Sequence, residues 1–208
     1  MFKHVLSFCA VAALVAMQPA LADTLVLDTG VPSGSGFPMT LDGSDFVAAK
    51  FHLDAEKTIT GVQTYLTSGL DSSGATFTFA LYSNDTSGGL FDRFGSSVYS
   101  AQGTYTADGW TGLTGLDWSG LAAGDYWLAL EVGATDSASG LSLPTPAAGG
   151  TAAALAYAFN SGSGYQTSGA QSFGAQVSTV PVPAGVWLLG SGLAGLAGLR
   201  RKRALTAV

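Results

Sequence analysis

Thr76-Phe77-Thr78-Phe79-Ala80-Leu81-Tyr82 is the stretch on which the fold turns. Side chains of an extended strand point alternately to opposite faces. Phe77, Phe79 and Leu81 therefore share one face, and the threonines and Ala80 share the other. A second run, Asp125-Tyr126-Trp127-Leu128-Ala129-Leu130-Glu131-Val132, alternates in the same way, with Tyr126, Leu128, Leu130 and Val132 as its inner face. Working outward, further strands are expected at residues 24–28, 46–53, 58–67, 153–159 and 171–178. Turns are expected at residues 84–89, 122–124 and 161–164. Residues 109–120 are rich in glycine and read as loop. Many short strands, polar glycine-rich turns and poor helical periodicity predict an all-β domain. The architecture expected is an antiparallel β-sandwich of jelly-roll type, flanked by an amino-terminal signal peptide and a single carboxy-terminal hydrophobic helix.

Both chain ends read as addresses. In residues 1–22, Lys3 gives a positive start and residues 5–17 an apolar run. Ala20-Leu21-Ala22 then supplies the small-residue pattern that a signal peptidase cuts, leaving Asp23 as the first mature residue. Cys9 is the only cysteine, and it lies inside this leader. The bulky Phe8 before it does not fit a lipoprotein signal. The processed body then has no thiol for disulfides, catalysis or metal.

At the other end stands Val180-Pro181-Val182-Pro183-Ala184. An apolar stretch follows at residues 184–199, then Arg200-Arg201-Lys202-Arg203. As a helix, those sixteen residues would be roughly 24 Å long, against a hydrocarbon core of about 30 Å. The span is marginal and needs local thinning or arginines that reach outward. The basic cluster should remain cytoplasmic together with residues 204–208, leaving the body outside. Pro181 and Pro183 keep the segment before the helix extended and deprive it of ladder hydrogen bonds. A protease can grip such a segment.

Residues 180–203 resemble the PEP-CTERM sorting domain of Gram-negative bacteria, in the variant whose motif is Val-Pro-Leu-Pro-Ala, with Val182 here in place of leucine. The resemblance implies recognition by an exosortase-type membrane protease, cleavage near the motif, and release or attachment at the cell surface. The main pattern has a glutamate between the prolines and this chain does not, so the exosortase type stays open. An uncut carboxy-terminal anchor is the alternative. Within residues 23–179, Thr58-Ile59-Thr60-Gly61-Val62, Phe79-Ala80-Leu81-Tyr82-Ser83 and Ala123-Gly124-Asp125-Tyr126-Trp127-Leu128 resemble pieces of choice-of-anchor domains. That family is defined by fold and anchoring, and it brings no catalytic residues.

All 14 acidic residues lie between Asp23 and Asp136. Only Lys50, Lys57 and Arg93 oppose them, so three basic against fourteen acidic residues leave the body at a net −11. Such a body repels nucleic acid and anionic lipid. The apolar share of 47% excludes a disordered polar chain.

Candidate chemistry is sparse. His52, with Asp54 nearby, is the one histidine of the body and reads as a half-exposed strand residue; no G-x-S-x-G elbow accompanies it. Asp54 and Glu56 would share a strand face as a glycosidase pair requires, yet Lys57 beside them favours a solvated strand end. Asp42, Asp45 and Asp85 offer hard oxygens for structural calcium, without the twelve-residue EF-hand pattern. Trp110, Trp118 and Trp127 are candidates for a platform that stacks on sugar, with Trp110 and Trp118 in the glycine-rich stretch; the alternative is that they plug the end of the core. Asn84-Asp85-Thr86 matches a glycosylation sequon. The expectation is a non-enzymatic, exported surface or matrix protein, membrane-anchored only transiently, with no cofactor. Its rivals are a carbohydrate-binding module for exopolysaccharide and a secreted hydrolase.

Overall fold

The alternation at residues 76–82 matures into one of thirteen strands among the described residues. In the computed structural model these are β1 (Thr24–Pro32), β2 (Met39–Leu41), β3 (Asp45–Leu53), β4 (Lys57–Leu66) and β5 (Thr76–Asp85). There follow β6 (Arg93–Thr104), β7 (Gly109–Leu121), β8 (Gly124–Glu131), β9 (Leu141–Leu143), β10 (Ala147–Ala152), β11 (Ala156–Ser161), β12 (Tyr165–Ser168) and β13 (Ala175–Pro181). The structure describes residues 23–36, 38–86, 93–162, 164–168 and 172–181. Ala20, Ala22, Val182, Pro183, Ala184, the stretch at 184–199 and Arg200–Arg203 lie outside the described residues.

The strands form a five-stranded sheet in the order β10-β1-β13-β4-β7 and a six-stranded sheet in the order β12-β11-β3-β8-β5-β6. A small β2-β9 pair completes them. The two large sheets pack as a sandwich over one shared core. Val47, Ala49, Phe51 and Leu53 come from β3, Phe77, Phe79 and Leu81 from β5, and Leu128 and Leu130 from β8. Facing them are Leu27, Ile59, Val62, Leu66 and Val177 of the other sheet. The period-two apolar faces of the sequence thus all point inward. Phe77 and Phe79 are fully buried and tilt against each other at 5.0 Å between ring centres. Truncating either to alanine costs about 3–5 kcal/mol.

Residues 109–120 depart from the loop expected for them, because β7 is a strand of 13 residues. Its glycines serve the pairing rather than break it. A Cβ at Gly112 would lie 2.1 Å from the Val62 carbonyl oxygen of β4, so only glycine allows the two backbones this close. Gly115, at φ 71°, sits in the left-handed region, close to where the β4–β7 register shifts between Ile59 and Gly61. Glycine suits such bulges.

The last strand is interior. β13 lies between β1 and β4, and Thr24 of β1 pairs with Thr179 of β13. Thr29 and Thr64 fasten the chain just before it. Thr29 Oγ1 donates to the Phe173 carbonyl at 2.7 Å, and Thr64 Oγ1 donates to the Gly174 carbonyl at 2.9 Å. Asp28 ties three strands together. Its carboxylate accepts from Gly30 N (3.2 Å), Gln176 Nε2 (3.1 Å), Thr151 N (3.0 Å) and Thr151 Oγ1 (2.8 Å). Burial pushes its pKa up, and these bonds outweigh that and hold it below the usual carboxylate value.

Candidate functional site

The outward face of the six-stranded sheet carries a second, smaller core. Strand parity sets Ala48, Lys50 and His52 of β3, and Asp125, Trp127, Ala129 and Glu131 of β8, on the side away from the main core. Register then lines up Ala158, Ala48, Ala129 and Ala80 as one row across four neighbouring strands. Trp127 lies in this cluster with no exposed surface.

Such burial needs a sheet that curls. Tyr165 on β12 and Glu131 on β8 are three strand spacings apart, about 14 Å on a flat sheet. Yet the Tyr165 hydroxyl donates to Glu131 Oε1 at 2.7 Å. The edge strands β12 and β6 also approach each other. The sheet therefore rolls toward its outward face, and alanines form the floor because the inside of a tight roll has no room for larger side chains.

Polar groups close the cluster. Tyr82 also donates to Glu131, at 3.0 Å to Oε1. Burial, then the Glu131 charge and this bond, push the Tyr82 phenol up to about 12. The same causes, burial first, raise Tyr165. Trp127 Nε1 donates to Asn84 Oδ1 at 2.9 Å. The buried Lys50 ammonium lies 5.8 Å from the Trp127 ring centre and 3.3 Å from Asp125 Oδ2. His52 Nδ1 sits 2.6 Å from Asp125 Oδ1, with the ring just over half exposed at 55%. The His52 bond first, and Lys50 with it, hold the Asp125 carboxyl below its usual value against a smaller effect of burial.

The partner of His52 is thus Asp125, a cross-strand neighbour that local sequence does not reveal. Asp54 instead meets Lys57 at 2.8 Å, and Glu56 is exposed. The His52–Asp125 pair could orient an imidazole for proton transfer. Among the described residues, the hydrogen bonds of His52 reach no serine or threonine hydroxyl.

The remaining candidates are scattered. Asp42 and Asp45 precede and open β3, whereas Asp85 closes β5 at the opposite end of the sheet, because β3 and β5 both run antiparallel to the β8 between them. Asp42 Oδ1 already accepts from Ser44 N, Ser44 Oγ and Asp45 N. These bonds lower its pKa, while burial and the Asp42 charge raise that of Asp45. Among the described residues no group of three or more His, Cys, Asp or Glu side chains converges as a metal site would require.

Trp118 is 6% exposed and stacks in parallel on Tyr99 at 5.6 Å. Trp110, eight residues earlier on β7 and roughly 25 Å away along the strand, is half-buried on the outer face of the other sheet. There it meets Tyr65 edge-on at 5.7 Å. Gly112 follows Trp110 on the same face. Gly174 lies beside Tyr65 and Pro32, so close that a Cβ there would fall 2.6 Å from the Tyr65 Cβ.

Comparison of the chain with protein-family models, with curated proteins and with solved structures returns no match.

Proposed function

We propose that this is an exported surface or extracellular-matrix protein of a Gram-negative bacterium. Its leader directs it through the inner membrane, and its carboxy-terminal segment holds it there transiently for an exosortase-type protease. The body is a non-enzymatic structural or adhesive β-sandwich. One observation supports this reading above the others: the strand core runs straight into the sorting motif. β13 extends through Val180 and Pro181, so the strand takes in the first two residues of the motif, and no independent segment intervenes. That arrangement suits a domain whose last act is to present its end for processing.

Within this reading the sandwich is a jelly roll. The strand orders β1-β13-β4-β7 and β3-β8-β5-β6 support it, since they are what two interlocked Greek keys produce, with β10, β11 and β12 added at the edges. The test is intact-mass analysis of the protein from envelope and culture supernatant. A product beginning at Asp23 and lacking Arg200–Arg203 is expected. A mature protein that retains those arginines would leave an ordinary anchor and refute sorting.

A carbohydrate-binding role is the second reading, and the Tyr65–Trp110 pair favours it. Two half-buried aromatic rings stand together on a solvent-side sheet face, with bare glycine on both flanks. Exopolysaccharide binding should then fall on Trp110→Ala and Tyr65→Ala and be indifferent to Trp118→Phe. Equal binding by all three variants would end that reading.

A further inference from the structure

The outer face of the five-stranded sheet is ordered in rows. Phe173, Ala175 and Val177 are buried in the core, so Gly174, Gln176 and Ser178 between them face outward. Tyr65 N donates to the Gly174 carbonyl at 2.9 Å, and a Cβ on Gly61 would lie 3.7 Å from the Ser178 Cβ. Gln63 is midway between Tyr65 and Gly61 on β4. It therefore stands opposite Gln176, midway between Gly174 and Ser178. On its other side Gln63 pairs with Gly112 of β7, and Tyr65 pairs with Trp110. Toward β1, Asp28 pairs with Gln176. The Pro32 ring reaches Gly174, where a Cβ would meet Pro32 Cδ at 3.2 Å.

Two parallel rows result. One consists of rings: Pro32, Tyr65 and Trp110, with Pro32 and Tyr65 closing over the bare Gly174. The other lies two residues along each strand, about 6.6 Å away, and consists of the amides of Gln176 and Gln63. The Gln63 stem leans over Gly112, where a Cβ would fall 2.7 Å from Gln63 Cγ. All five of these side chains are partly exposed. The one carboxylate in the rows, Asp28, is occupied by its four donors.

We propose that this double row binds an uncharged β-linked glycan of equatorial hexopyranose units, lying across the strands from β1 to β7; this rests on the carbohydrate-binding reading above and names the ligand class for its site. The backbone groups of the interior strands β13 and β4 are engaged in the ladder, so an extended peptide finds nothing to pair with on this face. What fits is a ribbon with apolar broad faces and hydroxyl edges. An all-equatorial pyranose carries C–H bonds on both broad faces and hydroxyls around its rim. Its C–H face meets the rings, and its rim meets amides that both donate and accept. Tyr65 and Trp110 stand at 84° to each other, so one lies under a sugar while the other stands against its edge. An axial hydroxyl would interrupt that contact. The acidic body repels an anionic glycan, and repels a second copy of itself. From β1 to β7 is three strand spacings, about 14 Å on a flat sheet, with room for about three sugars.

The full chain is expressed, and the protein recovered from envelope and supernatant is titrated calorimetrically with β-1,4-linked glucose oligomers of increasing length. Maltotriose is the α-linked comparison and an alginate oligomer the anionic one. Affinity is expected to rise up to about three sugars and then level, with both comparison oligomers bound more weakly. Trp110→Ala should weaken binding about tenfold or more, and Gln63→Ala about two- to tenfold. Pro32→Ala should weaken the trisaccharide and spare the disaccharide. Leu155→Ala, at an exposed position outside both rows, should change nothing. Thermal melts accompany every variant; Gln63→Ala alters one partly exposed amide and decides the matter if Trp110→Ala melts early. Loss on Trp110→Ala with no change on Gln63→Ala and Pro32→Ala would overturn the double row and leave the ring pair as the whole site. Tighter binding of the alginate or α-linked oligomer would overturn the ligand class. If no oligomer of any class binds the wild type, the carbohydrate reading itself falls, a result distinct from the other two.

Discussion

Replacing Asp28 with alanine removes the acceptor for four donors at once, in a residue only 7% exposed. Thr151 and Gln176 can turn to water. The Gly30 amide is buried and cannot. A hydrogen bond to a charged acceptor is worth about 1.5–3 kcal/mol, and an orphaned buried donor costs about 1–3 kcal/mol. With the other bonds partly replaced by water, a net loss of about 3 kcal/mol follows. For a domain of this size each kcal/mol lowers Tm by about 2–4 °C, so a drop of roughly 6–12 °C is expected. Tryptophan fluorescence during thermal melting reads it directly, because Trp127 and Trp118 are buried. Acidity gives an independent check. The folded pKa of Asp28 lies below its unfolded value near 4, so its contribution is complete above that value and is lost as pH falls through the folded one. Asp28→Asn should therefore flatten the loss of stability below about pH 4. An alanine variant melting within about 2 °C of wild type, less than 1 kcal/mol by the same conversion, would refute the account of Asp28 as the tie among β1, β10 and β13.

Thr111 Oγ1 is buried with no hydrogen-bond partner among the described residues. Thr111→Val keeps the shape, removes an orphaned hydroxyl, and should raise stability by about 1 kcal/mol in urea unfolding. Gly112→Ala should do the opposite, by about 2–4 kcal/mol, because the new Cβ meets Val62 and Gln63 backbone atoms at 2.1 and 2.6 Å; a near-neutral melt would contradict the close β4–β7 approach. The Tyr82 phenol titrates at about 12 when folded and near 10 when unfolded. Stability is thus complete below about pH 10 and declines as pH rises toward the folded value. Spectrophotometric titration should show this phenolate appearing late, and Tyr82→Phe should remove the late step.

Alternation was readable wherever one face of a strand is buried and the other wet. Phe77-x-Phe79-x-Leu81 and Tyr126-x-Leu128-x-Leu130 point to the core as their spacing requires. The same rule misleads at Trp127, which falls on the face expected to meet solvent and is nevertheless fully buried. Only the curl of the sheet encloses it, and curl depends on Tyr165 and Glu131 meeting from strands far apart in the chain. β7 was hidden for a different reason. Glycine at positions 112, 115 and 120 looks like loop punctuation, whereas Gly112 is there to admit the β4 backbone. The His52–Asp125 contact joins residues 73 positions apart, and pairing register at that range is not written in local sequence.

The acidic residues have a consequence beyond net charge. Asp28, Asp42, Asp71, Asp108 and Asp136 each accept from a backbone amide at a turn or bulge. Secreted domains commonly fasten such points with disulfides, and residues 23–208 contain no cysteine. Carboxylate pins require no oxidant or isomerase to form, are untouched by reductants, and re-form as soon as the chain refolds. A body fastened this way folds equally well in an oxidising or a reducing compartment. The hazard it exchanges for reduction is acid.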